Sequence, residues 1–178
     1  VTADFGFRAG IDPAGRLFSP SLAGGALLDV GVYPISLACM VFGPYPDRLA
    51  SLAALGQTGV DEQAGVVLGY PGGRLAVATT AIRTSTPQEA RILGTEGMIL
   101  IDPAFWRAER AVLRAGGREE VTAAPLVGNG YNYEAAEVGR CLRAGQLESP
   151  AMTLQETVAI MELLDRIRAQ WGLRDPME

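Results

Sequence analysis

Val66-Val67-Leu68-Gly69-Tyr70-Pro71-Gly72-Gly73-Arg74-Leu75-Ala76-Val77-Ala78-Thr79-Thr80-Ala81-Ile82 reads as two β-rich runs on either side of a short turn. Glycine reaches positive φ without steric cost, so Pro71-Gly72-Gly73 marks a hairpin, and a hairpin makes its two strands antiparallel. The same punctuation recurs downstream. Gly94-Thr95-Glu96-Gly97 separates QEARIL from MILID, and Gly116-Gly117 separates RAVLRA from REEVTA. Residues 48–124 therefore read as a run of about six or seven short strands.

Three segments around this run read as helical. The apolar stretch 22–42 is closed by Gly43-Pro44, and Pro34 is expected to kink or divide it. It is nearly long enough to span a bilayer, but it contains Asp29, and a carboxylate in mid-membrane is costly, so the stretch is expected to be a buried helix. Residues 131–143 place Ala135, Val138 and Leu142 at helical spacing, with Gly145 as the stop. Thr153-Leu154-Gln155-Glu156 is a capping box, in which hydroxyl and carboxylate satisfy opposite backbone amides. Val158, Met161, Leu164 and Ile167 then recur on one face as far as Trp171-Gly172.

The first residues, Val1-Thr2-Ala3-Asp4-Phe5-Gly6-Phe7, read as a strand already under way, without the charged-then-apolar pattern of a signal peptide. The order is strand, helix, strands, then two helices. That predicts an α+β fold: an open-faced, mostly antiparallel β-sheet with helices packed on one face. At 178 residues, 48% of them hydrophobic, the chain suits one compact domain, 1–178. There is no internal repeat.

With 15 basic and 20 acidic residues the net charge is −5, which offers no footprint for nucleic acid or anionic lipid. All of the basic residues are arginine; lysine and histidine are both missing. A Ser-His-Asp triad, a histidine metal site, a Schiff-base lysine and a P-loop lysine are therefore excluded within this sequence. Cys39 and Cys141 lie in separate expected helices and read as buried thiols rather than a disulfide, as suits a cytoplasmic protein.

Gly24-Gly25-Ala26-Leu27-Leu28-Asp29-Val30-Gly31-Val32-Tyr33-Pro34 is the informative segment. If helical, it sets Asp29 and Tyr33 side by side, where two side chains can act on one ligand. Each also has a plainer reading. Asp29 can be a hydrogen-bonded carboxylate fixing the bend near Gly31, and Tyr33 a core aromatic whose hydroxyl finds a carbonyl. Gly24, Gly25 and Gly31 are expected to allow close packing. Phe105-Trp106, expected on a strand, reads as core or interface before it reads as a ligand platform. Tyr131 and Tyr133 are expected to anchor a helix start, while Glu134 and Glu137 read as a solvated face, so no metal is assigned.

The string AGGALLDVGVYPISLA resembles the G-G-A-L-L-D-x-G-x-Y-P signature of the Gfo/Idh/MocA oxidoreductases, most closely their dihydrodiol dehydrogenase-like branch. Arg16-Leu17-Phe18, Pro20, Gly94-Thr95-Glu96-Gly97 and the closing NYEAAEVGRCLRAGQLESPAMTLQETVAIMELLDRIRAQWG are similar too. The resemblance implies the C-terminal, substrate-binding and dimerisation domain of an enzyme whose N-terminal Rossmann domain is not in this sequence. It implies Tyr33 as acid/base for a hydroxyl of a sugar or diol, with Asp29 orienting that substrate. It implies NAD or NADP as cofactor, bound mainly by the nucleotide domain, and a homodimer formed through the sheet face.

A phenol, with an ordinary pKa near 10, needs help to act as a base near neutral pH. In the family that help is the lysine of an E-K-P motif in the nucleotide domain. No G-x-G-x-x-G follows a strand here, since Gly128-Asn129-Gly130 lacks the third glycine. The isolated domain is therefore expected to be inactive. A non-catalytic dimerisation module and a small-ligand binding module stay open as alternatives.

Overall fold

The computed structural model describes residues 1–173. Among them, strands β1 (Thr2–Gly6), β2 (Arg48–Leu55), β3 (Asp61–Tyr70), β4 (Arg74–Ala81), β5 (Ala90–Leu93), β6 (Gly97–Ile101), β7 (Arg110–Ala115) and β8 (Arg118–Ala123) join in one sheet. Their order is β2-β3-β4-β1-β5-β6-β7-β8, and all neighbours are antiparallel except β1 and β4. The α+β, open-faced sheet expected from the sequence is present. All three glycine turns close hairpins. Gly116 and Gly117 both have positive φ, 56° and 73°, the left-handed pair that matches the twist of two-residue hairpins.

Alternation assigns the faces. Ala64, Val66, Leu68 and Tyr70 of β3 and Ala76, Ala78 and Thr80 of β4 are buried, whereas Val67, Leu75 and Val77 between them are exposed. The buried face carries helices α1 (Val32–Phe42) and α3 (Leu154–Gln170), with Leu27, Ile35, Leu163, Leu164 and Ile167 closing the core. Each such aliphatic side chain contributes about 1.5–3 kcal/mol on burial. Cys39 and Cys141 are free and buried, and burial pushes the Cys39 thiol up to about 11.

Four expectations are corrected. First, residues 22–42 are not one helix divided at Pro34. A 3-10 turn at Pro20–Leu22 gives way to a π-helical turn at Leu27–Gly31, which runs directly into α1. Pro34 lies within the first turn of α1; it has no N–H for a carbonyl one turn back, and its ring crowds that turn, so the chain widens upstream. By length and composition Pro20–Phe42 could cross a bilayer, yet 56% of its most apolar window is buried in this fold.

Second, the buried seam of α3 is Ile160, Leu163, Leu164 and Ile167, while Val158 and Met161 are exposed. Steps of strictly three residues drift around a helix of 3.6 residues per turn, so the expected set left the seam. The N-cap itself holds: Thr153 Oγ1 accepts from the Glu156 N–H at 3.1 Å. Third, α2 (Tyr131–Arg143) buries only Cys141 and leaves Val138 and Leu142 in solvent. Within the helix Arg140 donates to Glu137, and Ser149 of the following loop donates to the same carboxyl, which together hold it down at about 2. Fourth, Phe105-Trp106 belongs to a 3-10 turn, Phe105–Arg107, between β6 and β7 and not to a strand.

Two buried polar side chains pin the start of the π-turn to the sheet. Asp61 on β3 accepts from the Leu27 N–H at 2.7 Å, and Thr80 on β4 donates to the Ala26 carbonyl at 3.0 Å. Gly25, at φ 121°, makes room: a Cβ there would sit 2.2 Å from the Asp61 carboxylate. Gly31 does the same against Leu27 and Thr80. Burial raises the Asp61 carboxyl from 3.8 to about 6, even though the hydrogen bond from Leu27 opposes the shift.

The folded chain thus keeps this proton to higher pH than the unfolded chain does. Stability from the group is complete below pH 3.8 and is lost as pH rises through about 6. Denaturant titrations should show wild-type stability falling between pH 4 and pH 7 by up to about 3 kcal/mol from this residue. Asp61→Asn should remove that component, and an unchanged slope in the variant would contradict the assignment.

Candidate functional site

The pinned π-turn sets the direction of the two residues singled out in the motif. Asp29 lies in the turn and Tyr33 one turn on, in α1. Their surroundings differ. The Asp29 carboxylate is 15% exposed and forms an ion pair with Arg16, whose side chain is 69% exposed. Arg16 comes from the loop before the helical stretch. No hydrogen bond joins Asp29 to Tyr33 among the described residues.

Tyr33 is 39% exposed and stands in an aromatic cluster assembled from three distant parts of the chain. Phe5 of β1 stacks on Trp106 with centroids 3.7 Å apart and planes 6° from parallel. Tyr33 meets Phe5 edge-on at 5.2 Å and lies 5.8 Å from Trp106. Ring pairs at these separations add about 0.5–1.5 kcal/mol beyond their buried area. The phenol is therefore held at a fixed tilt while its ring remains open to solvent, unlike a core tyrosine.

Two cavities share Tyr33 and Trp106 in their walls. One, of about 440 Å³, runs along α1 past Val32, Leu37 and Met40 to Met152 and Glu156, and its walls are largely apolar. The other, of about 320 Å³, is bounded by Arg107, Asn129, Tyr131, Tyr133 and Glu134. Volumes of this size suit small molecules. Tyr131 and Tyr133 thus line a cavity, and Tyr133 also anchors its loop, since its hydroxyl accepts from the Val127 N–H at 3.0 Å. No group of three metal-ligating side chains occurs among the described residues.

The four-residue spacing of Asp29 and Tyr33 is visible in the sequence, while their reading as a site rests on the family resemblance. No sequence signal pairs Arg16 with Asp29 or Asp61 with Leu27, since each contact joins separate segments of the chain. Nothing local in the sequence signals that the turn carrying Trp106 folds back onto β1, or that Arg107 borders the cavity beside Tyr33.

The model of the GFO/IDH/MocA C-terminal domain matches residues 1–100. The trans-1,2-dihydrobenzene-1,2-diol dehydrogenases of Xenopus tropicalis and Mus musculus are 34% and 35% identical to this chain, covering 99% of it and 55% and 54% of themselves. The chain thus spans about half the length of the curated relatives it matches. Among solved structures, an aldose-aldose oxidoreductase from Caulobacter crescentus complexed with glycerol superposes with a TM-score of 0.81 at 22% identity. That match covers 97% of this chain and 53% of the other. A 3-ketoreductase from Actinomadura kijaniata in complex with NADP and TDP-benzene gives 0.74 at 19% identity, covering 94% and 52%. At such identities the structural likeness is one of fold. The family match over more than half of the sequence, on a fold that these structures share, establishes that the chain belongs to the GFO/IDH/MocA C-terminal domain family.

Proposed function

We propose that this chain is the substrate side of an NAD(P)-dependent oxidoreductase that moves hydride between a nicotinamide and the carbinol carbon of a sugar or diol. The observation that carries this reading is Tyr33: a phenol on a pinned helix start, braced by Phe5 and Trp106, that lines two cavities. Tyr33, as its phenolate, takes the hydroxyl proton as the carbinol is oxidised, and the resulting phenol returns it in the opposite direction. Asp29, held by Arg16, orients the substrate.

The flat ring faces beside Tyr33 suit the faces of a sugar or a nicotinamide ring, and NAD or NADP, when bound, accepts or returns the hydride. The chain has no lysine, and no glycine-rich fingerprint follows a strand to cradle a pyrophosphate. We therefore assign phosphate binding, and the lysine that would assist Tyr33, to a Rossmann domain outside this chain, and we expect the chain alone to be inactive. The half-length match to the dehydrogenases supports this division. Val67, Leu75 and Val77 on the open sheet face support a homodimer formed there.

In the intact gene product, assayed for NAD(P) reduction across a panel of sugars and diols, Tyr33→Phe should lower kcat by about 10²-fold or more. Cofactor affinity should change little. Unchanged turnover would remove Tyr33 from the chemistry and favour a binding or assembly module. Asp29→Asn, which keeps the shape and removes the charge, should lower kcat/KM by about tenfold, on the order of 1.4 kcal/mol.

A further inference from the structure

We propose that Arg107 selects substrates bearing an anionic group, a carboxylate or a phosphate, set apart from the hydroxyl that Tyr33 serves; this rests on the reading of Tyr33 given above. Arg107 ends the 3-10 turn Phe105–Arg107, and its N–H closes onto the Ala104 carbonyl at 2.8 Å. Trp106, the residue before it, is locked by its stack on Phe5. The backbone at 107 is thus fixed at the rim of the cavity that Tyr33 lines, and Arg107, an exposed residue, is one of the residues bounding that cavity.

Its charge is uncommitted. Arg91, Arg110 and Arg114 on the sheet pair with Glu89, Asp102 and Glu119, Arg118 at the β7–β8 turn has no such pair, and no ion pair engages Arg107 among the described residues. Glu134 lines the same cavity and is not paired with Arg107 either. On its other side Arg107 borders a second cavity, where Asp102 is already held by Arg110 and Glu109 is the remaining carboxylate.

The Tyr33 cavity is thus bounded by an arginine and a separate acidic residue together with Trp106, Tyr131 and Tyr133. That combination reads hydroxyl groups at one place and an anion at another. A guanidinium beside aromatic rings binds carboxylate or phosphate through two parallel, charge-assisted hydrogen bonds, which an ammonium cannot reproduce.

The test compares D-glucose, D-glucuronate and D-glucose 6-phosphate with the intact gene product, by initial rates and by quenching of tryptophan fluorescence. The second readout needs no turnover. Arg107→Ala should raise KM, or the Kd from quenching, for at least one anionic probe by about tenfold or more relative to the change for glucose, as loss of a charged hydrogen bond predicts. Arg107→Lys should recover only part of the loss. Which anion responds distinguishes carboxylate from phosphate. Equal changes for glucose and both anions, or none, would overturn the proposal. Tyr33→Phe separates it from the functional reading: failure of that reading leaves turnover intact in Tyr33→Phe, while the charge preference in the binding data still stands or falls with Arg107.

Discussion

Ala26 and Leu27 enter the helical stretch with a carbonyl and an amide turned into the sheet, and Thr80 and Asp61 meet them there. Much else depends on this pair of buried hydrogen bonds. A backbone group left unpaired at such a depth would cost about 1–3 kcal/mol, so the clamp tolerates little slippage. It fixes where the π-turn begins and hence the rotation of every side chain that follows. The small residues around it are part of the same device. Gly25 leaves space for the Asp61 carboxylate and Gly31 lets the turn press against β4. A carboxylate held this deeply gives up its proton reluctantly, which couples the anchoring of the site to pH.

From that clamp the surroundings of the motif follow. Tyr33 emerges where β1 delivers Phe5 and the β6–β7 connection delivers Trp106, and the three rings brace one another. Asp29, one turn earlier, meets Arg16 instead. The two motif residues thus divide into a phenol facing open cavities and a carboxylate held by a surface arginine. One cavity beside Tyr33 is mainly apolar, whereas the other carries charge of both signs.

The helical layer is less complete than the sheet beneath it. Val138 and Leu142 of α2, Val158 and Met161 of α3 and Met40 of α1 all remain exposed, as do Val67, Leu75 and Val77 on the far side of the sheet.

The sequence by itself determined the features that are local. Paired glycines such as Gly116-Gly117 dictate tight turns, because only they adopt positive φ freely, and the tight turns make an antiparallel sheet. Spacing made the three helical segments visible, and the run from Gly24 to Pro34 carried the family. Contacts between distant residues were left to the tertiary structure. Neither the Asp61 and Thr80 clamp nor the meeting of Phe5, Tyr33 and Trp106 has a local signature, since each joins residues tens of positions apart. The π-turn arose from Pro34 acting upstream within packed surroundings, and the true seam of α3 was set by what the sheet offered it. Periodicity says that a helix has a face; only the neighbouring elements decide which face is covered.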